Sequence, residues 1–217
     1  MKTLLISVLL LTVFFGNISA KTFENGLELE NVEYQQRAFE GIINDTINKL
    51  AETLGQYDPI QIEHWAFDIL GHSCLIENWK MEGFSKIVAA RISFSGFINW
   101  TLDMEINIGP IEEFVKYWKV VGELLYGEGK VNFDMDKANL KIVVTLNPIT
   151  MNVKSATITP HISNAKHTIT GLLHDEELSR KVSDYMDWLL NDYISNNKQL
   201  HDWLNNIFYN LLKRVIG

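Results

Sequence analysis

The chain has 217 residues, a net charge of −8 and a hydrophobic fraction of 47%. That is long enough for one domain with a sizeable core and apolar enough to exclude wholesale disorder. Lys and Arg form no cluster, which argues against nucleic acid as a partner and against generic attraction to anionic membranes.

The first twenty residues stand apart. Lys2 is a short basic start, Leu4 to Phe15 is an almost unbroken apolar run, and Asn17-Ile-Ser-Ala20 ends on a small residue. The run is short for a transmembrane span and polar chain follows it. This predicts a secretory signal over 1–20, cut after Ala20, with a retained anchor as the alternative. Loss of Lys2 takes the net charge from −8 to −9. Residues 21–217 then form a single secreted, extracellular domain. No later stretch is apolar enough to cross a bilayer. Cys74 is the one cysteine, so no intramolecular disulfide can form. It reads as a small buried group in a strand, and an intermolecular bridge is the sharper alternative. Two sequons, Asn44-Asp-Thr46 and Asn99-Trp-Thr101, are candidate glycosylation sites.

After a polar leader, residues 31–56 repeat apolar groups at three- and four-residue steps: Phe39, Ile42, Ile43, Ile47, Leu50 and Leu54. That period predicts an amphipathic helix about 35 Å long, ended by Gly55 and Asp58-Pro59. Trp65, Phe67, Ile69 and Leu70 follow as apolar residues that need burial. From Cys74 the period becomes two. Residues 75–81 and 84–98 read as strands broken at Gly83. Leu102, Met104, Ile106 and Ile108 alternate with Asp103, Glu105 and Asn107, the mark of one buried and one wet face. Phe114 to Val121 reads as a further strand, with a helical turn over Ile111-Glu-Glu-Phe-Val115 as the alternative. Gly127-Glu-Gly129 reads as a turn or bulge. Val131 to Met135 and Leu140 to Leu146 suggest a hairpin. Two weaker strands follow around Pro160.

From Asp175 the period returns to helix, with Glu176 and Glu177 in the first turn. Leu178, Val182, Tyr185, Met186, Leu189 and Tyr193 form one stripe. Leu200, Trp203, Leu204, Ile207, Phe208, Leu211 and Val215 form a second. Grouped strands between terminal helices predict an α+β fold. Its simplest form is a curved antiparallel sheet wrapped around the long N-terminal and C-terminal amphipathic helices.

Catalysis finds no support. There is no Gly-x-Ser-x-Gly elbow, no phosphate-cradling loop and no His-Glu-x-x-His, and the six histidines are scattered. The residues therefore predict no enzyme, no metal and no cofactor.

Four segments resemble the insect juvenile-hormone-binding and takeout family and the related mite group 7 allergens, within the tubular lipid-binding proteins related to bactericidal/permeability-increasing protein. They are Asp58-Pro-Ile-Gln-Ile62 after the helix, Ile76-Glu-Asn-Trp-Lys-Met-Glu-Gly-Phe-Ser-Lys-Ile87, Gly122-Glu-Leu-Leu-Tyr-Gly-Glu-Gly129 before a hairpin, and Leu189-Leu-Asn-Asp-Tyr193. Together they cover about residues 30–216. The family's N-terminal cysteine pair is absent and the chain is shorter than typical takeout members, which points toward the group 7-like end. The resemblance implies a hydrophobic tunnel for a lipid, fatty acid or terpenoid.

The expected function is therefore a secreted carrier or sequestering protein with an internal apolar cavity. The expected ligand-binding residues are Phe39, Ile43, Ile47, Leu50, Trp65, Phe67, Phe84, Met104, Phe133, Trp203 and Ile207. The partner is a hydrophobic small molecule. The alternative is a surface-binding protein whose exposed stripe from Leu200 to Val215 makes transient membrane contact or engages a microbial lipid or protein partner, with no enclosed ligand.

Overall fold

The computed structural model describes residues 32–96, 98–147, 150 and 152–216. The predicted signal segment lies outside the described residues. Helix α1 spans Val32–Gly55. Nine strands follow: β1 Ile60–Ile69, β2 His72–Glu82, β3 Ile87–Ser95, β4 Trp100–Ile108, β5 Ile111–Val121, β6 Gly127–Met135, β7 Lys137–Leu146, β8 Val153–Ser163 and β9 Lys166–Ile169. Helix α2 spans Glu176–Trp188, a π-helical turn spans Leu189–Ile194, and α3 spans Lys198–Ile216. Among the described residues the fold is α+β with a curved antiparallel sheet and three α-helices.

The sheet has two halves, ordered β1-β2-β5-β6-β9 and β3-β4-β7-β8. The orders correspond, because each long strand runs through both. β2 leads to β3, β4 to β5, β6 to β7 and β8 to β9, each across a break of a few residues at one level. This is one sheet with a crease, and the crease residues hold each other. Gly109 N–H donates to the Lys86 carbonyl at 3.0 Å. The Asn164 amide donates to Asp136 at 2.6 Å. Gly83 has φ +90, and a Cβ there would sit 1.8 Å from the Pro110 carbonyl oxygen, so only glycine fits.

Asp58 anchors one end of the crease. Its carboxylate accepts from Gly83 N–H at 2.9 Å, from Ser85 N–H at 2.9 Å and from the Ser85 hydroxyl. The Asp58-Pro59 turn and the Gly83-Phe84-Ser85 turn, noted separately in the sequence, are thus one hydrogen-bonded unit. Burial pushes the Asp58 carboxyl up, but the Ser85 and Gly83 bonds and the charge of Lys86 outweigh it and hold it below its ordinary 3.8.

The core lies on the four-stranded half. Its register rows are apolar from edge to edge: Ile92, Met104, Ile142 and Ile158 in one, Phe94, Leu102, Val144 and Ala156 in the next. Helix α1 packs on β3 and α3 packs on β8, the two edge strands. Ile43 and Ile47 come from α1, and Leu204, Phe208 and Leu212 from α3.

The free edge formed by β8 and β9 is covered by the C-terminal helices. Five side chains at four-residue spacing accept from outward backbone N–H groups. Ser179 takes Leu172, Ser183 takes Ile169, Asp187 takes His167, Asn191 takes Ala165 and Ser195 takes Ile162, at 2.5–3.0 Å. Asn205 adds Ile158 at 2.7 Å. Pro160, between the last two, has no N–H to satisfy. Ser179, Ser183 and Ser195 are buried. The sequence stripe of Leu178, Val182, Tyr185, Met186, Leu189 and Tyr193 is therefore not the buried face of this segment. Tyr185 and Tyr193 are exposed, each tilted against Trp188. The interface carries polar groups because it faces a strand edge and not a sheet face.

Two outcomes are expected. Ser183→Ala leaves the Ile169 N–H buried without its acceptor and costs about 1–3 kcal/mol in urea unfolding. The contribution of Asp58, whose folded pKa is lowered, is fully present at about pH 5–7 and is lost as pH falls below 3.8 through the folded value. Asp58→Asn should remove this part of the acid limb, which urea melts across the pH range would read.

Candidate functional site

The eleven sequence-predicted residues fall into three groups. Ile43, Ile47 and Met104 are fully buried in the core, with Leu50 packed at its edge. Ile207 lies half-buried on α3, and Phe84 half-buried in the crease turn. The side chain of Phe39 lies outside the described residues. Trp65, Phe67 and Phe133 belong to the five-stranded half. Trp203 points away from the core and is 53% exposed, because Leu204 and Phe208 occupy the inward positions of its helix. The structure thus splits the expected lining between a closed core and a more open apolar face.

That open face is built by register. One row crosses all five strands with apolar groups only: Ile62, Trp79, Val115, Val131 and Ile169. Nearer the outer end, Trp65 pairs with Ile76, which pairs with Trp118, and Phe67 pairs with Cys74, which pairs with Val120. These two sets are three residues apart, so strict alternation would put them on opposite faces. A bulge prevents that. The β5–β6 register shifts between Val115 and Trp118, and Asn78 on β2 takes φ +50 at the same level. The extra residue turns Trp118 back to the face that Val115 occupies. Gly127 and Gly129 lie opposite, and the Trp118 ring lies 3.1 Å from where a Gly127 Cβ would be.

The two faces differ in chemistry. On the outer one, the Tyr117 hydroxyl donates to Glu128 at 2.7 Å and Lys119 lies 3.5 Å from the same carboxylate. The Tyr117 bond lowers the Glu128 carboxyl and raises the Tyr117 phenol. His64 lies 3.9 Å from Glu77. The inner face carries Trp65 against Phe67, ring centroids 4.7 Å apart, and Phe133 against His167 at 4.5 Å. His167 is oriented by Asp187 at 2.8 Å. Trp79 donates to Glu113 at 2.7 Å. Trp118 is buried, yet its Nε1–H has no acceptor among the described residues. A buried donor without a partner is costly and calls for an explanation.

Trp118 was in the sequence only as one of six tryptophans. The signal that could have found it is the break in alternation after Val115, opposite a glycine pair. Trp65 and Ile69, expected to be buried, are 47% and 54% exposed, and the described helices pack on β3, β8 and β9 and not on this end of the sheet. Asn44 and Asn99 are both exposed. No group of His, Cys, Asp and Glu among the described residues could hold a metal ion. No helix among them is long and apolar enough to cross a membrane.

No family model matches the chain, and no curated protein matches it. Two solved structures are similar. Takeout 1 of Epiphyas postvittana is 14% identical with a TM-score of 0.37, over 81% of this chain and 91% of that one. A lipopolysaccharide binding protein is 13% identical with a TM-score of 0.32, over 78% of this chain and 36% of that one.

The partition of the eleven residues has a measurable consequence. Met104→Ala, in the closed core, should cost about 2–5 kcal/mol, whereas Trp203→Ala should stay within about 1 kcal/mol of the parent in urea unfolding.

Proposed function

We propose that the protein is a secreted carrier that sequesters a hydrophobic small molecule, a lipid, fatty acid or terpenoid, against the inner face of the five-stranded half. The observation that supports this is the Trp118 indole N–H, buried in an apolar face and lacking an acceptor. A ligand with an apolar body and one polar oxygen supplies what both need. Its body covers Trp65, Phe67 and the Ile62–Ile169 row, and its oxygen accepts from Trp118. Apolar walls with few polar groups are the usual make-up of such sites.

Ile43, Ile47, Leu50 and Met104 close the neighbouring core, which in this reading forms the floor where the cavity ends. The surface-binding alternative based on α3 has less support, because Leu204 and Phe208 of that stripe are buried against the sheet.

Native mass spectrometry of protein from a eukaryotic secretion host, followed by organic extraction, tests the reading. A discrete added mass released as a lipid or terpenoid is expected. Trp118→Phe should weaken binding of a fluorescent fatty-acid probe about fivefold, the worth of one hydrogen bond, with little change in fold. A bare mass together with no probe response would overturn the carrier reading.

A further inference from the structure

Two turns end the five-stranded half on the side away from the crease: the β1–β2 turn at Leu70-Gly71 and the β5–β6 loop over residues 122–126. They are held together by His72. Its Nδ1–H donates to the Leu70 carbonyl at 3.0 Å and its Nε2 accepts from Leu125 N–H at 3.2 Å. Its ring fills the space where a Gly122 Cβ would sit, 2.0 Å away. The two turns therefore form one preformed tip.

The tip is apolar and graded. Leu70 and Leu124 are 92% and 86% exposed. Ile69 and Val121 come next, then Leu125 and Tyr126, with Trp65 one step back along β1. Charged residues flank the leucines as well as standing behind them: Asp68 and Glu123 are exposed beside Leu70 and Leu124, and Lys119 is paired with Glu128 further back. Aliphatic groups foremost with Tyr and Trp behind is the order of apolar groups across a lipid–water interface. A monomeric soluble protein rarely leaves such a cluster bare. The charge balance narrows the partner further. No Lys or Arg lies between Trp65 and Trp79 or between Val120 and Gly129, while Asp68, Glu77, Glu123 and Glu128 do. An anionic surface would be repelled.

We infer that this tip docks the protein on a zwitterionic phospholipid surface by insertion of Leu70 and Leu124. The tip adjoins the cargo face at Ile69 and Trp65, but Leu70 and Leu124 lie beyond that face, and the inference does not depend on the carrier reading. It would place the open inner face beside the bilayer.

The test is co-sedimentation of the secreted chain with phosphatidylcholine vesicles. The parent is expected to partition onto them, with little change on raising salt or adding phosphatidylglycerol. The Leu70→Asp/Leu124→Asp variant should bind about tenfold more weakly or worse, because each leucine contributes the worth of one buried apolar side chain. Both positions lie at the surface, so its circular dichroism and melting temperature should match the parent. Absence of parent binding, unchanged binding by the variant, or binding that requires anionic lipid and is lost in salt would each overturn the proposal. So would a concentration-dependent dimer in ultracentrifugation that the variant abolishes without any vesicle binding, since the tip would then be covered by a second copy.

Discussion

Outward backbone N–H groups along the β8–β9 edge need acceptors, and the way they obtain them sets the rest of the C-terminal half. An uncovered edge is both a cost in unpaired donors and a template for another chain. Here the acceptors come from a helix lying along the edge, one per turn, from Ser179 to Ser195. A four-residue repeat does not fit an α-helix, because four residues at about 100° each overshoot a turn by about 40°. Over four steps the row would wind around the helix and leave the strand. The π-helical turn at Leu189–Ile194 answers this, since its turn is wider. It brings Asn191 and Ser195 back into line. The π-turn is thus a consequence of the edge, not a local irregularity.

The edge also fixes where α3 begins. Once Ser195 is bonded to Ile162, the chain has reached the four-stranded half, and Asn197 caps the next helix through Leu200 N–H at 2.8 Å. Leu204, Phe208 and Leu212 then face the sheet and close the core. At the opposite end of the crease Asp58 performs the matching task, joining the end of α1 to the β2–β3 turn. The sheet is creased between these two anchored ends, and the crease separates a half covered by α1 and α3 from one that, among the described residues, a helix covers at its β9 side.

How much of this was legible follows from which periods survive. Leu102, Met104 and Ile106 alternate without fault, and β4 lies where that alternation places it, with all three buried. The apolar stripe of α3 included the inward Leu204 and Phe208 but not the fully buried Leu212, and it included Trp203, which faces water. The serine row did not stand out, because Ser179, Ser183 and Ser195 read as polar and hence as solvent-facing. Nothing in a single sequence says that a helix will meet a strand edge. The open face was half legible. Trp65, Phe67 and Phe133 stand out in the sequence as large apolar groups. Trp118 does not, because its place on the face depends on a bulge that resets the alternation. The corresponding motifs Asp58-Pro59 and Gly83-Phe84-Ser85 were visible, but not their contact, which spans 25 residues or more.

The split between a closed and an open half bears on mechanism. A close-packed core such as Met104, Ile142, Val144 and Phe208 offers no room for a ligand without displacing side chains at several kcal/mol each. An apolar face with Trp65 and Ile69 half in water already carries the cost of exposure, and that cost is relieved when a ligand covers it. On the proposed function, the driving force for binding therefore resides in the five-stranded half, with the four-stranded half as the rigid support. The polar groups sort the same way. Glu113 already holds the Trp79 indole and Asp187 already holds His167, whereas the Trp118 donor is unsatisfied. On the proposed function, an acceptor oxygen that reaches Trp118 gains most, so that indole, more than the apolar residues around it, would orient the ligand.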